Sequence, residues 1–194
     1  MLAALRPFVY RRYVDFGVIE SLRGMKQMIT SEVRRRGLQD NVKLGHGGIR
    51  EIEFIAQCFQ LIRGGRDLGL QQRELLLVLE ECARLGCLPE QAVAELVSAD
   101  LFLRDSEHAI QGYLDKQTQA LPTGDLARLA MATVIGFSSW ELYLATLAEH
   151  RRLVAGHFDG LLAATDEESA ESEEHTPVLW GEELSGETSE ANGW

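Results

Sequence analysis

The chain has 194 residues, with 45% apolar side chains, four prolines and a net charge of −11. That length and composition allow one substantial core, and no apolar run reaches membrane-spanning length before an Arg, Glu or Lys interrupts it, so no membrane is expected as a partner. The charge is uneven: residues 1–50 carry ten Lys/Arg against four acids, residues 51–163 nine against sixteen, and residues 164–194 ten acids and no base.

A basic first quarter calls for an anionic ligand or partner there. The acidic remainder and the lack of interleaved aromatics argue against nucleic acid. Cys58, Cys82 and Cys87 have no CxxC or CxxH spacing. They read as free thiols in a reducing compartment, and the expected location is cytoplasmic. Residues 1–7 are too short and wrongly charged for a secretory signal.

In chain order, Pro7 to Arg36 reads as one long helical region with a kink at Phe16-Gly17. Val18, Leu22, Met25, Ile29 and Val33 form an apolar stripe, and Met25 and Met28 are expected in the core. Arg34-Arg35-Arg36 before Gly37 reads as a helix end, with cations at the negative pole and glycine just beyond. The same arginines would also suit an anion.

Helix two is expected from Gly48 to Ile62. Wound at 3.6 residues per turn, it places Arg50, Glu53, Gln57 and Gln60 on one narrow polar stripe and apolar residues over most of the rest. Such a helix is largely buried, and its stripe must meet water in a cleft or a polar partner. Glu51 falls among the apolar positions and needs a partner, either an arginine or the helix's own first N–H groups.

A third helix is expected from Leu70 to Leu85. A fourth opens at Pro89, breaks near Ser98–Asp100 and resumes to about Gln119, with Leu103, Ile110 and Leu114 in register. Thr123 is a candidate cap for a fifth helix over Asp125–Ile135. Ser138-Ser139-Trp140-Glu141 has the spacing of a capping box and opens a sixth helix to Leu162. Nothing alternates with period two, so the fold class is all-α: a bundle of about six helices over residues 1–163, followed by an acidic disordered tail over 164–194.

The feature with the most chemical content is Lys43-Leu44-Gly45-His46-Gly47-Gly48-Ile49-Arg50-Glu51-Ile52-Glu53-Phe54. Three glycines in four residues are followed at once by a helix start. Backbone without side chains approaches a ligand closely, and the first helical turn leaves N–H groups unpaired, a combination that suits a phosphate. The spacing is neither the Walker loop nor the dinucleotide fingerprint, and for the motif alone a tight turn before a packed helix is the favoured reading.

Elsewhere, His108 beside Glu107 and near Arg104-Asp105 reads as a structural hydrogen-bonder. His150 and His157, seven apart, lack the companion that metal ligation needs. Ser138 and Ser139 lack a nucleophile elbow. No Asp-x-Asp pair follows a Gly-Ser turn, so the chain shows no means of holding two magnesium ions for nucleotidyl transfer.

The run Arg6-Pro7-Phe8-Val9-Tyr10-Arg11-Arg12-Tyr13-Val14-Asp15, then Ile19-Glu20-Ser21-Leu22-Arg23 and Arg34-Arg35-Arg36-Gly37, resembles bacterial glutamine synthetase adenylyltransferases. The resemblance continues through Asp40-Asn41-Val42, the Lys43–Phe54 segment, Gln60-Leu61-Ile62-Arg63-Gly64-Gly65-Arg66, Phe102-Leu103-Arg104, Glu107-His108 and Leu121-Pro122, covering about residues 5–163. Related glycine-rich segments occur in uridylyltransferases of PII. Where that family commonly has proline between the first two glycines, this chain has His46.

The resemblance implies the helical domain of a bifunctional adenylyltransferase and adenylyl-removing enzyme, more like its N-terminal, adenylyl-removing unit. It implies glutamine synthetase and the PII signal protein as partners, a nucleotidyltransferase domain as the missing half, and Mg2+ and ATP/ADP as cofactors of the intact enzyme. By the same resemblance, Lys43, Gly45, Gly47, Gly48, Arg50 and Glu53 would border the nucleotide cleft. Lys43 and Arg50 would neutralise phosphate charge, and Glu53 would position a partner side chain. No catalytic or metal residue carries over, and the chain alone is expected to be inactive. The rival reading is a non-catalytic module that docks glutamine synthetase or PII.

Overall fold

A computed structural model describes residues 6–7, 9–10, 16–114 and 118–173. Among them are six α-helices: α1 (Phe16–Arg36), α2 (Ile49–Arg63), α3 (Leu75–Arg84), α4 (Glu90–Leu114), α5 (Asp125–Ile135) and α6 (Trp140–Glu173), with one 3-10 turn at Leu68–Leu70. The all-α expectation holds. No helix among the described residues is long and apolar enough to cross a membrane.

The centre of the bundle is α4, which packs against α2, α3, α5 and α6. The core fills the space between these helices with Ile52, Ile55, Leu79, Leu96, Leu103 and Phe158, each fully buried. Aromatic rings join α4 to α6: Phe102 stacks on Tyr143 and on the His150 ring, with centroids 5.7 and 4.7 Å away. Burial holds the His150 imidazole below its usual pKa. Cys58, Cys82 and Cys87 are all free thiols, and burial raises the Cys58 and Cys82 thiols to about 12.

Several local expectations are corrected. No break occurs at Ser98–Asp100: α4 runs through it because the Asp100 carboxylate accepts from Arg104 Nε one turn on, at 2.9 Å. The described part of the helix runs to Leu114, residues 115–117 lie outside the described residues, and Thr118 and Gln119 are not helical. Pro89 precedes α4 and supplies its first carbonyl acceptor to Val93. The α3 helix starts five residues later than expected, because Gln60 Nε2 holds the carbonyls of Leu70 and Gln72 at 2.8 Å and takes that segment off the helical path.

Gly124, not Thr123, stands at the α5 cap position. At the start of α6 the acceptor is Ser139, whose Oγ takes the Leu142 N–H. Met25 and Met28 are 38% and 63% exposed, not core, because α1 buries only the stripe around Leu22 and Val33. Arg35 and Arg36 both pair with Glu32, and Gly37 follows with φ +61°, as a helix end requires.

The α6 helix continues to Glu173, eleven residues past Leu162; the Ala- and Glu-rich sequence there, free of Gly and Pro beyond Gly160, sustains it. Residues 174–194 of the expected tail lie outside the described residues, as do most of residues 1–15 on which the first part of the long N-terminal helix was expected.

Candidate functional site

The glycine segment lies between α1 and α2 and is knitted to itself. Asn41 Oδ1 accepts from the Lys43 and Leu44 amides at 3.0 and 2.7 Å, and Asn41 O accepts from Gly45 N–H at 2.9 Å. The amides of Gly48, Ile49, Arg50 and Glu51 go to the carbonyls of Gly45, Val42, Lys43 and Gly48. The expected backbone cradle is therefore an internal one. These helix-start N–H groups, which a phosphate would need, already have acceptors inside the loop.

The three glycines are required by packing. Gly47 has φ +66°, and a Cβ there would overlap the backbone of Arg151 on α6, 2.6 Å from its Cα. A Cβ at Gly48 would meet three loop carbonyl oxygens at 2.7, 2.8 and 2.9 Å. The Arg151 side chain then closes over the loop, donating from Nη1 to Gln39 O at 2.6 Å and from Nη2 to Asn41 O at 2.8 Å. Burial lowers the Arg151 pKa from its ordinary value.

Glu51 finds its partners in the loop rather than in an arginine. Only 1% exposed, its carboxylate accepts from Gly47 N–H at 2.9 Å and lies 3.2 Å from His46 Nδ1. Burial raises its pKa, and these two contacts oppose the shift. A glutamate at the third helical position reaches back here as in a capping box, but to the N–H of Gly47, one residue before the Gly48 cap. His46 thereby has a definite function in the loop, holding the inner carboxylate.

The side chains of the motif spread over two directions. Arg50 turns back to the loop, with Nη2 on Leu44 O at 3.0 Å and a buried Nε that has no acceptor. Lys43 and Glu53 face α4. Lys43 Nζ lies 3.3 Å from Glu107 Oε1, and Glu53 Oε1 accepts from Arg104 Nη2 at 3.2 Å. Arg104 Nε is held in turn by Asp100, whose carboxyl is raised by burial and lowered by that arginine. Glu107 and Arg104 sit three residues apart on α4, so these two ion pairs form one rim along the α2–α4 groove.

That rim is open. The Glu53 and Arg104 side chains are 37% and 35% exposed, while Ile49, Ile52, Ile55 and Cys58 on the rest of α2 are fully buried. Beyond Glu53 the groove widens into a cavity of about 220 Å³ lined by Glu53, Gln57, Gln60, Arg73 and Arg104 among others. Of the polar stripe read from the sequence, Glu53 and Gln57 reach solvent, while Arg50 turns back into the loop and Gln60 is half-buried against the turn it holds.

Arg104, Glu107, Arg73 and Arg151 are the polar residues of this region that carried no site role in the sequence. The Asp100–Arg104 spacing was visible as a local pair, but nothing local pointed Arg151 at Gln39. His108 is exposed and lines a separate groove between α4 and α5. His157 pairs with Glu95 at 2.7 Å. Among the described residues no three potential metal ligands come together.

An all-helical domain with a glycine loop packed on its last helix and an open charged rim beside it is what the family model described as GlnD PII-uridylyltransferase matches, over residues 23–162. The chain belongs to that family.

Its curated relatives are named more narrowly. Bifunctional glutamine synthetase adenylyltransferase/adenylyl-removing enzymes from Pseudomonas aeruginosa and Pseudomonas putida are 52% and 54% identical to it over 170 and 169 residues, 88% and 87% of this chain. The enzyme of the same name from Nitrosococcus oceani is 49% identical over 195 residues, covering 99% of the chain. The chain spans only 17–20% of the length of these relatives.

Proposed function

We propose that this chain is the helical wall of a nucleotide cleft in a cytoplasmic glutamine synthetase adenylyltransferase/adenylyl-removing enzyme, one under control of the PII signal protein. The opposite wall, a nucleotidyltransferase domain outside this chain, would use ATP/ADP and Mg2+. The described residues here do not fit a resident Mg2+, so no step is assigned through it. What this chain contributes is charge and position.

Lys43 Nζ, about a third exposed and held by a single carboxylate, can turn toward a phosphate chain. Arg50 braces the loop that carries Lys43, and its cation adds to the field there. Glu53 fixes the Arg104 guanidinium at the groove mouth. Gly45, Gly47 and Gly48 let the loop sit close enough to α6 for these side chains to be placed. Chemistry at phosphorus rests mainly on positioning and on charge held ready for the transition state, so groups from a second domain matter there.

The observation that carries the reading is the open rim: a helix buried on every other side keeps Glu53 and Gln57 accessible. A full-length enzyme containing this segment and carrying Lys43→Met or Glu53→Gln should lose adenylyl-transfer or adenylyl-removal kcat/KM by at least about tenfold, as removal of one preorganised charge does. Its melting temperature should stay within a few degrees. Rates within twofold of the parent for both variants contradict the proposal.

A further inference from the structure

The α3 helix ends in a turn that brings two thiols together. Gly86, with φ +70°, donates its N–H to Ala83 O, and Cys87 donates its N–H to Cys82 O, both at 2.9 Å. These paired hydrogen bonds make a Schellman end, a geometry whose first and sixth side chains commonly touch. Here those two residues are Cys82 and Cys87.

The two sulfurs differ in setting. Cys82 is fully buried; burial raises its thiol to about 12, and negative charge on Cys87 pushes the same way. Cys87 is half-buried, packs against the core that contains Cys82, and accepts from Arg63 Nη1 at 3.1 Å. Arg63, the last residue of α2, is fixed in turn through Nε to Asp67 Oδ2 at 3.0 Å. The third thiol, Cys58, is fully buried.

We propose that Cys87 is a site of oxidation by peroxides and that Cys82 is its resolving thiol, the two joining as a disulfide across the end of α3. The thiolate is the reactive form of cysteine, and a cationic donor beside the sulfur favours it. The Cys87 thiolate attacks one peroxide oxygen. An S–O bond forms, the O–O bond breaks, and the other oxygen takes a proton and leaves as water or an alcohol. Sulfur is thereby oxidised to a sulfenic acid and the peroxide is reduced. The Cys82 sulfur then attacks the Cys87 sulfur: an S–S bond forms, the S–O bond breaks, and hydroxide leaves with the Cys82 proton as water. A solvent-reached sulfur beside a cation, with a second thiol next to it, is the arrangement that redox-responsive cysteines share.

The test adds hydrogen peroxide to dilute full-length enzyme containing this segment, blocks the remaining thiols by alkylation, and reads tryptic peptides by mass. Cleavage after Arg84 separates the two thiols, Cys82 on Glu74–Arg84 and Cys87 on Leu85–Arg104. These two peptides should appear joined, and dithiothreitol should part them, while Cys58 is recovered as an intact thiol. In Cys82→Ser the Leu85–Arg104 peptide should instead carry a sulfenic acid that dimedone traps. Arg63→Gln should slow Cys87 oxidation about fivefold at pH 7 but not at pH 10, where the thiolate forms unaided. The other charged groups nearby, Asp67 and the Glu81–Arg84 pair, keep their charges over that range. Loss of the Cys87 thiol without joined peptides overturns the proposal, as does oxidation of Cys87 no faster than of Cys58. An Arg63→Gln rate equal to the parent's at pH 7, or reduced alike at both pH values, contradicts the part given to the guanidinium.

Discussion

Gly47→Ala should destabilise the chain by about 3 kcal/mol or more, through left-handed backbone strain together with steric overlap. The new methyl has nowhere to go: it meets the backbone of Arg151, which is anchored in the middle of α6 and cannot move without disturbing the whole α4–α6 contact. Gly86→Ala supplies the control. Gly86 has nearly the same φ, +70°, but nothing lies within 4 Å of its added Cβ. It should cost only about 1–2 kcal/mol, the backbone term alone. Urea unfolding of the two variants separates strain from overlap. Equal losses would show that α6 does not press on the loop.

Arg151→Met should cost about 1–3 kcal/mol, because it keeps the apolar stem but takes a charged donor away from two loop carbonyls. Gln39 O loses its contact at 2.6 Å and Asn41 O its contact at 2.8 Å. The loss should be local as well as global. Amide exchange at Val42, Leu44 and Gly45 should speed up more than exchange in α3, which Arg151 does not touch. A variant as stable as the parent, with unchanged exchange in residues 38–48, would mean that the guanidinium only rests on the loop.

These two predictions concern contacts that no local pattern contained. Periodicity located all six helices, because each buries a stripe against its neighbours and repeats at 3.6 residues. It also placed Glu53 and Gln57 on one accessible edge. Helix ends were harder. The Gln60 side chain moves the start of α3 by holding carbonyls ten and twelve residues further along the chain, and Ser139 rather than Ser138 takes the cap because α6 begins at Trp140.

The Glu51 carboxylate was recognised as needing a partner, but the partner is an amide four residues back in the loop and the neighbouring His46. The glycines were read as space for a ligand or as a tight turn; the structure shows that the space is filled by α6, more than 100 residues further along the chain. That is tertiary packing, and it left no trace in the spacing of the loop. The Lys43–Glu107 and Glu53–Arg104 pairs are equally non-local, which is why α4's share of the rim was missed.

Whether the exposed edge of α2 borders bound nucleotide is most directly measured by photocrosslinking. A benzophenone side chain placed at position 57 of the full-length enzyme, irradiated with radiolabelled ATP bound, should capture label at that position, and excess unlabelled ATP should suppress it. If the enzyme binds ATP with parental affinity yet position 57 captures nothing, the cleft lies elsewhere and this helix is only scaffold.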